Sequence, residues 1–198
     1  MSLSKKAALE LLTRRIEESC GVKRNFSLEL LGAVWTLAER TASAYRRGHK
    51  VLLMGNGGSA ADAQHIAAEL VGKFMLKRRA LPAIALTTNS SILTALSNDF
   101  GYEESFVRQI QALGQAGDVV IAISTSGRSA NVVRGVETAR SARCYTVAFT
   151  GRRGGILKAR VDLLLAVPSE DTQRIQEAHS LLGHMYGELV ERILLGRK

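Results

Sequence analysis

The sequence predicts an α/β protein built on a five-stranded parallel sheet, a flavodoxin-like three-layer αβα sandwich with an N-terminal helical extension. From residue 50 onward, short apolar runs alternate with stretches of helical periodicity, whereas the earlier residues show helical periodicity alone. Runs that are apolar on both faces are typical of strands covered on both sides, as in a parallel sheet made of βαβ units. The 198 residues have room for one such domain and an extension.

The first 48 residues are predicted to form two amphipathic helices, separated near Gly21 and Asn25. Neither helix can bury its apolar stripe alone. We therefore expect residues 1–48 to be an oligomerisation segment that packs outside the sandwich, and residues 49–198 to form the functional domain. The apolar stripes consist of Leu9, Leu12 and Ile16 in the first helix and Leu28, Leu31, Trp35 and Ala38 in the second.

Five apolar runs are predicted to be the strands, and turn residues such as Gly55 and Pro168 bound them. A long helix is predicted at the end of the chain, over residues 172–195. The predicted strands are residues 51–54, 83–86, 119–123, 145–149 and 163–167.

Composition narrows the classes of function. The chain has 27 basic and 18 acidic residues, a net charge of +9. Basic proteins often bind nucleic acid, but the cations here are scattered and only 5% of residues are aromatic, which favours a surface that attracts anionic metabolites. No apolar run reaches the ~20 residues of a membrane span, and no signal-peptide pattern is present. Cys20 and Cys144 lack metal-ligand spacing and indicate a reducing compartment.

A glycine-rich turn follows the first predicted strand. Glycines before a helix expose backbone N–H groups that favour an anion. Ser59 and Asp62 form a capping-box pattern, so a helix is predicted to begin near Ser59. The string loosely matches a dinucleotide fingerprint, but no acidic residue ends the second strand where a ribose partner is expected. A P-loop is excluded because no Gly-Lys-Ser/Thr follows.

A hydroxyl-rich turn follows the third predicted strand. Residues 124–129 contain four hydroxyl side chains, those of Ser124, Thr125, Ser126 and Ser129. Ligands of open α/β sheets bind beyond the carboxyl ends of the strands, so this turn predicts a site for a phosphate ester. The simpler interpretation, a polar turn with a helix N-cap, needs only one hydroxyl. No nucleophile elbow surrounds these serines, which argues against covalent hydrolysis.

Two groups of titratable residues are candidates for chemistry. His65 and Glu69 are four residues apart on one predicted helix and share a face, which suits a metal, an acid/base pair or a surface hydrogen bond. Gln176 and His184 lie on the last helix, about 80° apart around it and ~12 Å apart along it. One small ligand bridges that second pair only if both side chains reach inward.

Taken together, these strings resemble the SIS domains of the phosphoheptose isomerase type. The resemblance covers about residues 30–195 and makes residues 49–198 the SIS domain. The matching strings are residues 55–59 with Asp62, His65 and Glu69, followed in order by residues 82–85, 98–101, 117–119, 123–127, 129–132, 150–151, 154–155 and 174–179.

The resemblance implies an activity. Phosphoheptose isomerases convert sedoheptulose 7-phosphate to D-glycero-D-manno-heptose 7-phosphate, the first step towards the heptose of bacterial lipopolysaccharide and other surface polysaccharides. The family consists of cytoplasmic homotetramers, and many members bind zinc, so one Zn²⁺ per subunit is expected. Aldose–ketose isomerisation requires a base near the carbons, an acid for the oxygens and stabilisation of oxyanion charge.

The resemblance also implies residue roles. Glu69 and His184 would be the acid/base pair, and His65, Glu69, Gln176 and His184 the metal ligands. The substrate would contact Asn56, Gly57, Gly58, Ser59, Glu69, Asn98, Asp99, Ser124, Thr125, Ser126, Ser129 and Gln176, with the hydroxyl side chains around its phosphate.

Two alternatives stay open at this stage. One is a non-catalytic SIS protein that binds the bacterial replication initiator, and the other is a sugar-sensing regulatory domain. A binding module has no reason to keep both Glu69 and His184, and this chain has both. Because these residues lie at opposite ends of the domain sequence, we expect one active site to draw residues from more than one subunit, with Glu69 and His184 as the pair to test.

Overall fold

Five strands form one parallel sheet in the computed structural model of the protein, which describes residues 3–196. The order across the sheet is β2-β1-β3-β4-β5, the flavodoxin-like order. The predicted fold class and topology are therefore confirmed. The strands are β1 (Val51–Gly55), β2 (Ala83–Ala85), β3 (Val119–Ile123), β4 (Tyr145–Gly151) and β5 (Leu163–Val167).

Residues 3–196 also form seven α-helices, and the last helix has the predicted bounds. None of these helices combines the length and the apolar character that a membrane crossing requires. The helices are α1 (Lys5–Arg24), α2 (Leu28–Arg46), α3 (Gly58–Val71), α4 (Ser90–Phe100), α5 (Val107–Leu113), α6 (Ala130–Ser141) and α7 (Thr172–Leu195).

The strand ends differ slightly from the predicted ones. β2 ends at Ala85, one residue early, although the N–H of Leu86 still donates to the carbonyl of Leu53. β4 continues to Gly151 because β5 pairs with it up to the register pair Gly151 and Val167. Pairing with a neighbouring strand decides such ends, and a local apolar run does not contain that information.

The sheet divides the core in two. Alternate residues of β1 point to opposite faces, so Val51 and Leu53 pack with α2, α3 and α7, whereas Leu52 and Met54 pack with α5 and α6. All five residues of β1 are buried, as expected for a strand covered on both sides. α3 and α7 consequently lie side by side on one face of the sheet.

The two N-terminal helices behave differently. Leu30, Val34 and Leu37 of α2 are buried in the layer that covers the sheet, so the prediction that both helices pack outside the sandwich is wrong for α2. Of the stripe predicted for this helix, only Ala38 is buried. α1 packs on α7 and buries none of its residues fully. Gly21 lies inside α1, and the break falls at Asn25, because one interior glycine costs a helix only about 1 kcal/mol. The oligomerisation role of residues 1–48 stays a prediction.

Candidate active site

The candidate site lies where the carboxyl ends of β1 and β3 meet. These neighbouring strands lead to α3 and α6, which cover opposite faces of the sheet, so the chain leaves a crevice between them. Ligands of open α/β sheets bind at such a point. Residues 55–58, here called the glycine loop, and residues 124–129, here called the serine loop, border this crevice.

The glycine loop requires glycine at defined positions. A Cβ on Gly55 would lie 2.7 Å from the carbonyl oxygen of Ser59 and 2.9 Å from that of Ile123, closer than real Cβ contacts. Gly57 has a φ of 55° and a ψ of −122°, which a residue with a side chain rarely adopts. The tight turn lets α3 begin at Gly58, and the N–H groups of Ser59 and Ala60 bond back to the carbonyls of Asn56 and Gly57, each over 3.0 Å.

The predicted capping box is wrong, although the predicted helix start is correct within one residue. The N-cap of α3 is Gly57, and no side chain caps it. The carboxylate of Asp62 accepts a hydrogen bond from Ser180 of α7 over 2.7 Å instead. Burial raises the pKa of Asp62, while the Ser180 hydroxyl and nearby His65 oppose that rise. Asp62 therefore joins α3 to α7 beside the candidate site.

The serine loop keeps most of its hydroxyl groups available. Ser129 is the N-cap of α6, yet its side chain makes no capping hydrogen bond. Its Oγ lies 3.3 Å from Oγ of Ser124, and Oγ of Ser126 accepts from the N–H of Arg128 over 3.2 Å. A cavity of about 290 Å³ adjoins the loop and is partly lined by Thr125, Ser126 and Arg128. Hydroxyls at a helix N-terminus suit the oxygens of a phosphate.

Asn56 of the glycine loop is held by a network that the sequence did not predict. Asn56 Nδ2 donates to Asn131 Oδ1 over 2.8 Å, and Asn131 Nδ2 returns a bond to Asn56 Oδ1 over 2.9 Å. Tyr102 Oη also donates to Asn56 Oδ1, and Asn131 Nδ2 reaches Ser105. Asn131 belongs to the matching string 129–132, but its role follows only from the fold, which buries it in the first turn of α6.

Asn98 and Asp99 lie at the exposed end of α4, where Asn98 Nδ2 donates to Asp99 Oδ1 over 2.8 Å. From the segment that follows α4, the hydroxyl of Tyr102 reaches the glycine loop. Gln176 of α7 lies directly over Gly58, because a Cβ on that glycine would clash with the Gln176 amide. The first turn of α3 and the first turns of α7 are therefore in contact.

Three titratable residues come together between α3 and α7. His65 Nε2 lies 2.8 Å from His184 Nε2 and 3.6 Å from Glu69 Oε1. The rings of the two histidines are 5.0 Å apart between centroids. The His65 side chain is 48% exposed and that of Glu69 is 24% exposed, so a small ligand can reach both.

All three residues lie together in one chain, so the pair chosen to test a shared site, Glu69 and His184, is supplied by a single subunit. That a second subunit adds other residues to the site stays a prediction. α3 and α7 are distant in sequence, but both cover the same face of the sheet and pack against each other. The crossover connections of the fold therefore bring the two ends of the domain sequence to one site.

The cluster fits a metal ion by the chemistry of its donors. One atom from each of His65, Glu69 and His184 lies within 4.8 Å of the others. Two imidazole nitrogens and one carboxylate oxygen form a donor set found in catalytic zinc sites, which keep a fourth position for another ligand. The three residues therefore form a candidate metal centre.

Comparison with known proteins identifies the family. The sequence profile described as the SIS domain matches residues 17–151. A phosphoheptose isomerase of Roseiflexus sp. (strain RS-1) is 55% identical over 90% of this chain and 91% of its own length. The chain belongs to the phosphoheptose isomerases of the SIS domain family. A phosphoheptose isomerase of Aquifex aeolicus (strain VF5) is 52% identical over 96% of this chain and 99% of its own length.

Solved structures of phosphoheptose isomerases have the same fold. One from Neisseria gonorrhoeae superposes with a TM-score of 0.88 at 42% identity, over 93% of this chain and 98% of that one. Another, from Francisella tularensis, superposes with a TM-score of 0.90 at 34% identity over the same shares. The high coverage of both chains means that the N-terminal helices and α7 have counterparts in these phosphoheptose isomerases.

Proposed function

We propose that this protein converts sedoheptulose 7-phosphate to D-glycero-D-manno-heptose 7-phosphate by moving a proton between C1 and C2 through an enediol. The proposal depends on one observation above all. A carboxylate, Glu69, and an imidazole, His184, meet in one cluster, in a chain about half identical to phosphoheptose isomerases. The product enters the synthesis of heptose for lipopolysaccharide and other surface polysaccharides.

The phosphate of the substrate is held by hydroxyl and N–H groups. Ser124, Ser126 and Ser129 offer their Oγ atoms from the serine loop, and Gly58 offers its backbone N–H at the start of α3. These groups surround a phosphate without neutralising it fully, and the net positive charge of the protein attracts it. The remaining phosphate contacts are those of Ser59 and Thr125.

The sugar extends from the phosphate across the glycine loop. Asn56, Gly57 and Gly58 lie along its hydroxyl groups, and Gln176 reaches it from α7. Asn98 and Asp99 contact the sugar from the end of α4. Because the Asn56 amide is held by Asn131 and Tyr102, its orientation is fixed before the substrate binds.

The proton transfers follow from the positions of Glu69 and His184. Glu69 removes a proton from C1 of the ketose, which gives the enediol, and then returns a proton to C2. In the first step His184 donates a proton to the oxygen on C2, and in the second step the hydroxyl on C1 gives its proton to His184 as Glu69 returns its own to C2, so both residues end in their starting protonation states. His65, in contact with both residues, orients the His184 ring.

A zinc ion belongs to the proposal, one per subunit, held by His65, Glu69, Gln176 and His184. When bound, it would supply positive charge that stabilises the negative charge developing on the substrate oxygens during proton transfer. The support is the donor set of the His65, Glu69 and His184 cluster. Gln176 is the proposed fourth ligand.

We also propose a homotetramer in the cytoplasm. The support for assembly is α1, which has no fully buried residue and exposes Leu9, Leu12 and Ile16, each more than half accessible. Such a stripe is stable in water when a second copy covers it. The two cysteines of the chain are free, in keeping with a reducing compartment.

A non-catalytic protein that binds the replication initiator is not favoured. The compared relatives of this chain at about half identity carry the name phosphoheptose isomerase. The Glu69 and His184 side chains also converge, which a binding module does not require.

The test is incubation of pure, zinc-supplemented protein with sedoheptulose 7-phosphate, followed by NMR of the sugar. The aldose signals of the heptose phosphate are expected to grow in proportion to enzyme concentration. Absence of aldose with folded, metal-loaded protein would reject the proposed activity. Formation of a different aldose from another ketose phosphate would assign the enzyme to a different sugar.

A further inference from the structure

A buried ion pair joins α7 to the loop between α3 and β2, residues 72–82, which has no regular secondary structure. The side chains of Arg78 and Glu191 are 3% and 1% exposed, and Arg78 Nε donates to Glu191 Oε1 over 2.8 Å. The proton transfers described above use neither residue. Buried charges are costly unless further hydrogen bonds compensate them, so the partners of this pair indicate what it holds in place.

Glu191 organises the backbone of the loop. Its carboxylate accepts from the N–H groups of Phe74, Met75 and Leu76 over 2.8, 2.9 and 2.8 Å. Burial alone would raise the pKa of Glu191, but these three N–H groups and Arg78 outweigh it and lower the pKa. The carboxylate is therefore charged, and it fixes three consecutive residues of an otherwise irregular loop.

Arg78 holds the end of α3, the helix that carries Glu69. Its Nη2 donates to the carbonyl of Glu69 over 2.8 Å, and its Nη1 donates to the carbonyls of Leu70 and Gly72 over 2.8 and 3.3 Å. The last carbonyls of a helix lack partners within it, and a cation is favourable there. The guanidinium thus fixes the helical turn from which the Glu69 side chain extends.

The loop also reaches the second member of the acid/base pair. The ring of Phe74 lies against the ring of His184, with 5.6 Å between centroids and 32° between planes. Glu191 follows His184 by seven residues on α7, so both lie on the same face of that helix. One carboxylate therefore anchors, through the N–H of Phe74, a ring that packs on His184.

We propose that Arg78 and Glu191 are positioning residues of the isomerase: they hold the loop at residues 72–82 so that Glu69 and His184 keep the separation that proton transfer requires. This inference rests on the proposed function. Misplacement of a catalytic group by about 1 Å can lower a rate about 100-fold without loss of substrate binding. The serine loop, which binds the phosphate, makes no hydrogen bond with this pair among residues 3–196.

The first variant is Arg78→Lys, which keeps the charge but cannot bond Glu191 and the carbonyls of α3 together. Its kcat is expected to fall about 10- to 100-fold, with KM changed less than about threefold. Arg192→Lys is the matched control, since Arg192 pairs with Glu188 on the exposed side of α7. The kcat of this control variant is expected to stay at the wild-type value. Phe74→Ala leaves the ion pair intact and tests the contact with His184 alone, so its kcat is expected to fall also.

A crystal structure of each variant supplies a readout that does not depend on activity. The distance between the Nε2 atoms of His65 and His184, 2.8 Å in the unsubstituted protein, is expected to change by about 0.5 Å or more. If that distance changes while the unsubstituted protein fails to isomerise heptose phosphate, the positioning role stands and the proposed function falls.

Wild-type kcat and an unchanged distance in folded Arg78→Lys and Phe74→Ala proteins would overturn the inference. A loss confined to KM would overturn it as well, because that would place the pair in substrate binding. If Arg78→Lys does not fold, Glu191→Gln, which removes one charge of the pair and keeps an acceptor oxygen, decides the question with the same two readouts.

Discussion

His65 and His184 are 119 residues apart in the sequence, and their Nε2 atoms are 2.8 Å apart in the folded chain. Neighbouring helices on one face of the sheet, α3 and α7, carry them. Glu69 completes the cluster one turn after His65. A single chain thus supplies the proposed acid/base pair and three of the four proposed zinc ligands.

Mixed refolding tests this single-chain arrangement. Unfolded Glu69→Gln and His184→Ala chains, refolded together, are expected to show no more activity than either variant alone, because no chain in the mixture carries both residues. If two subunits supplied the pair, roughly a quarter of the sites in randomly mixed oligomers would be intact. Recovery of activity near that fraction would contradict the arrangement.

Zinc binding is expected to depend on the cluster. Protein dialysed against zinc should retain one ion per chain by elemental analysis, and His65→Ala should retain far less, because it removes one of the imidazole donors. A chelator should lower the activity of the unsubstituted protein. His49→Ala is the control, since His49 lies before β1 beside Asp118, away from the cluster. Full occupancy in His65→Ala would reject this site.

Binding of the substrate phosphate is expected to weaken when Ser124 is replaced by Ala. A hydrogen bond to a charged group contributes about 1.5–3 kcal/mol, so KM should rise about 10- to 100-fold while kcat changes less. Ser141→Ala, at the far end of α6, removes a hydroxyl bonded to the carbonyl of Glu137 and should leave KM unchanged. A wild-type KM for Ser124→Ala would show that the serine loop does not bind the phosphate.

Acid should destabilise the protein through His179. This histidine is fully buried beside Phe149, and burial lowers its pKa to about 4, although a hydrogen bond to the Thr150 carbonyl opposes the shift. His179 therefore binds a proton near pH 6.5 in the unfolded chain but only near pH 4 in the folded chain. Stability consequently rises with pH between these two values. The loss between pH 7 and pH 5 is about 2 kcal/mol.

Urea unfolding at the two pH values measures that loss. His179→Gln keeps a donor for the Thr150 carbonyl but does not titrate, so its stability should depend less on pH by about the same 2 kcal/mol. Equal pH dependence of the two proteins at one protein concentration would contradict the role of His179.

The sequence predicted the five strands because buried parallel strands are short apolar runs that local composition shows, and their order followed from the predicted fold class. It also placed the serine loop and the helix after the glycine loop, since turn chemistry is local. It failed where a distant partner decides. Asp62 was predicted to cap α3, but its carboxylate accepts a hydrogen bond from Ser180 of α7. The helix α2 was predicted to lie outside the sandwich, but its buried face packs on α7 and the sheet.

The candidate site could be predicted only as separate pieces. The spacing of His65 and Glu69 placed them on one helical face, but nothing local says that His184 faces them, because that contact depends on how α3 and α7 pack. The bonds of Asn131 and Tyr102 to Asn56 are equally long-range. For the same reason the expected subunit boundary between Glu69 and His184 could be corrected only by the folded chain.

Turnover of sedoheptulose 7-phosphate by Glu69→Gln tests the central claim most directly. The substitution is nearly isosteric and removes the base, so kcat should fall about 100-fold or more while the fold survives. Glu137→Gln is the control, because Glu137 pairs with Arg160 on the surface and should turn over like the unsubstituted enzyme. A hundredfold loss confined to Glu69→Gln is the predicted result, and a kcat within about twofold of the unsubstituted enzyme would contradict the assignment of Glu69 as the base.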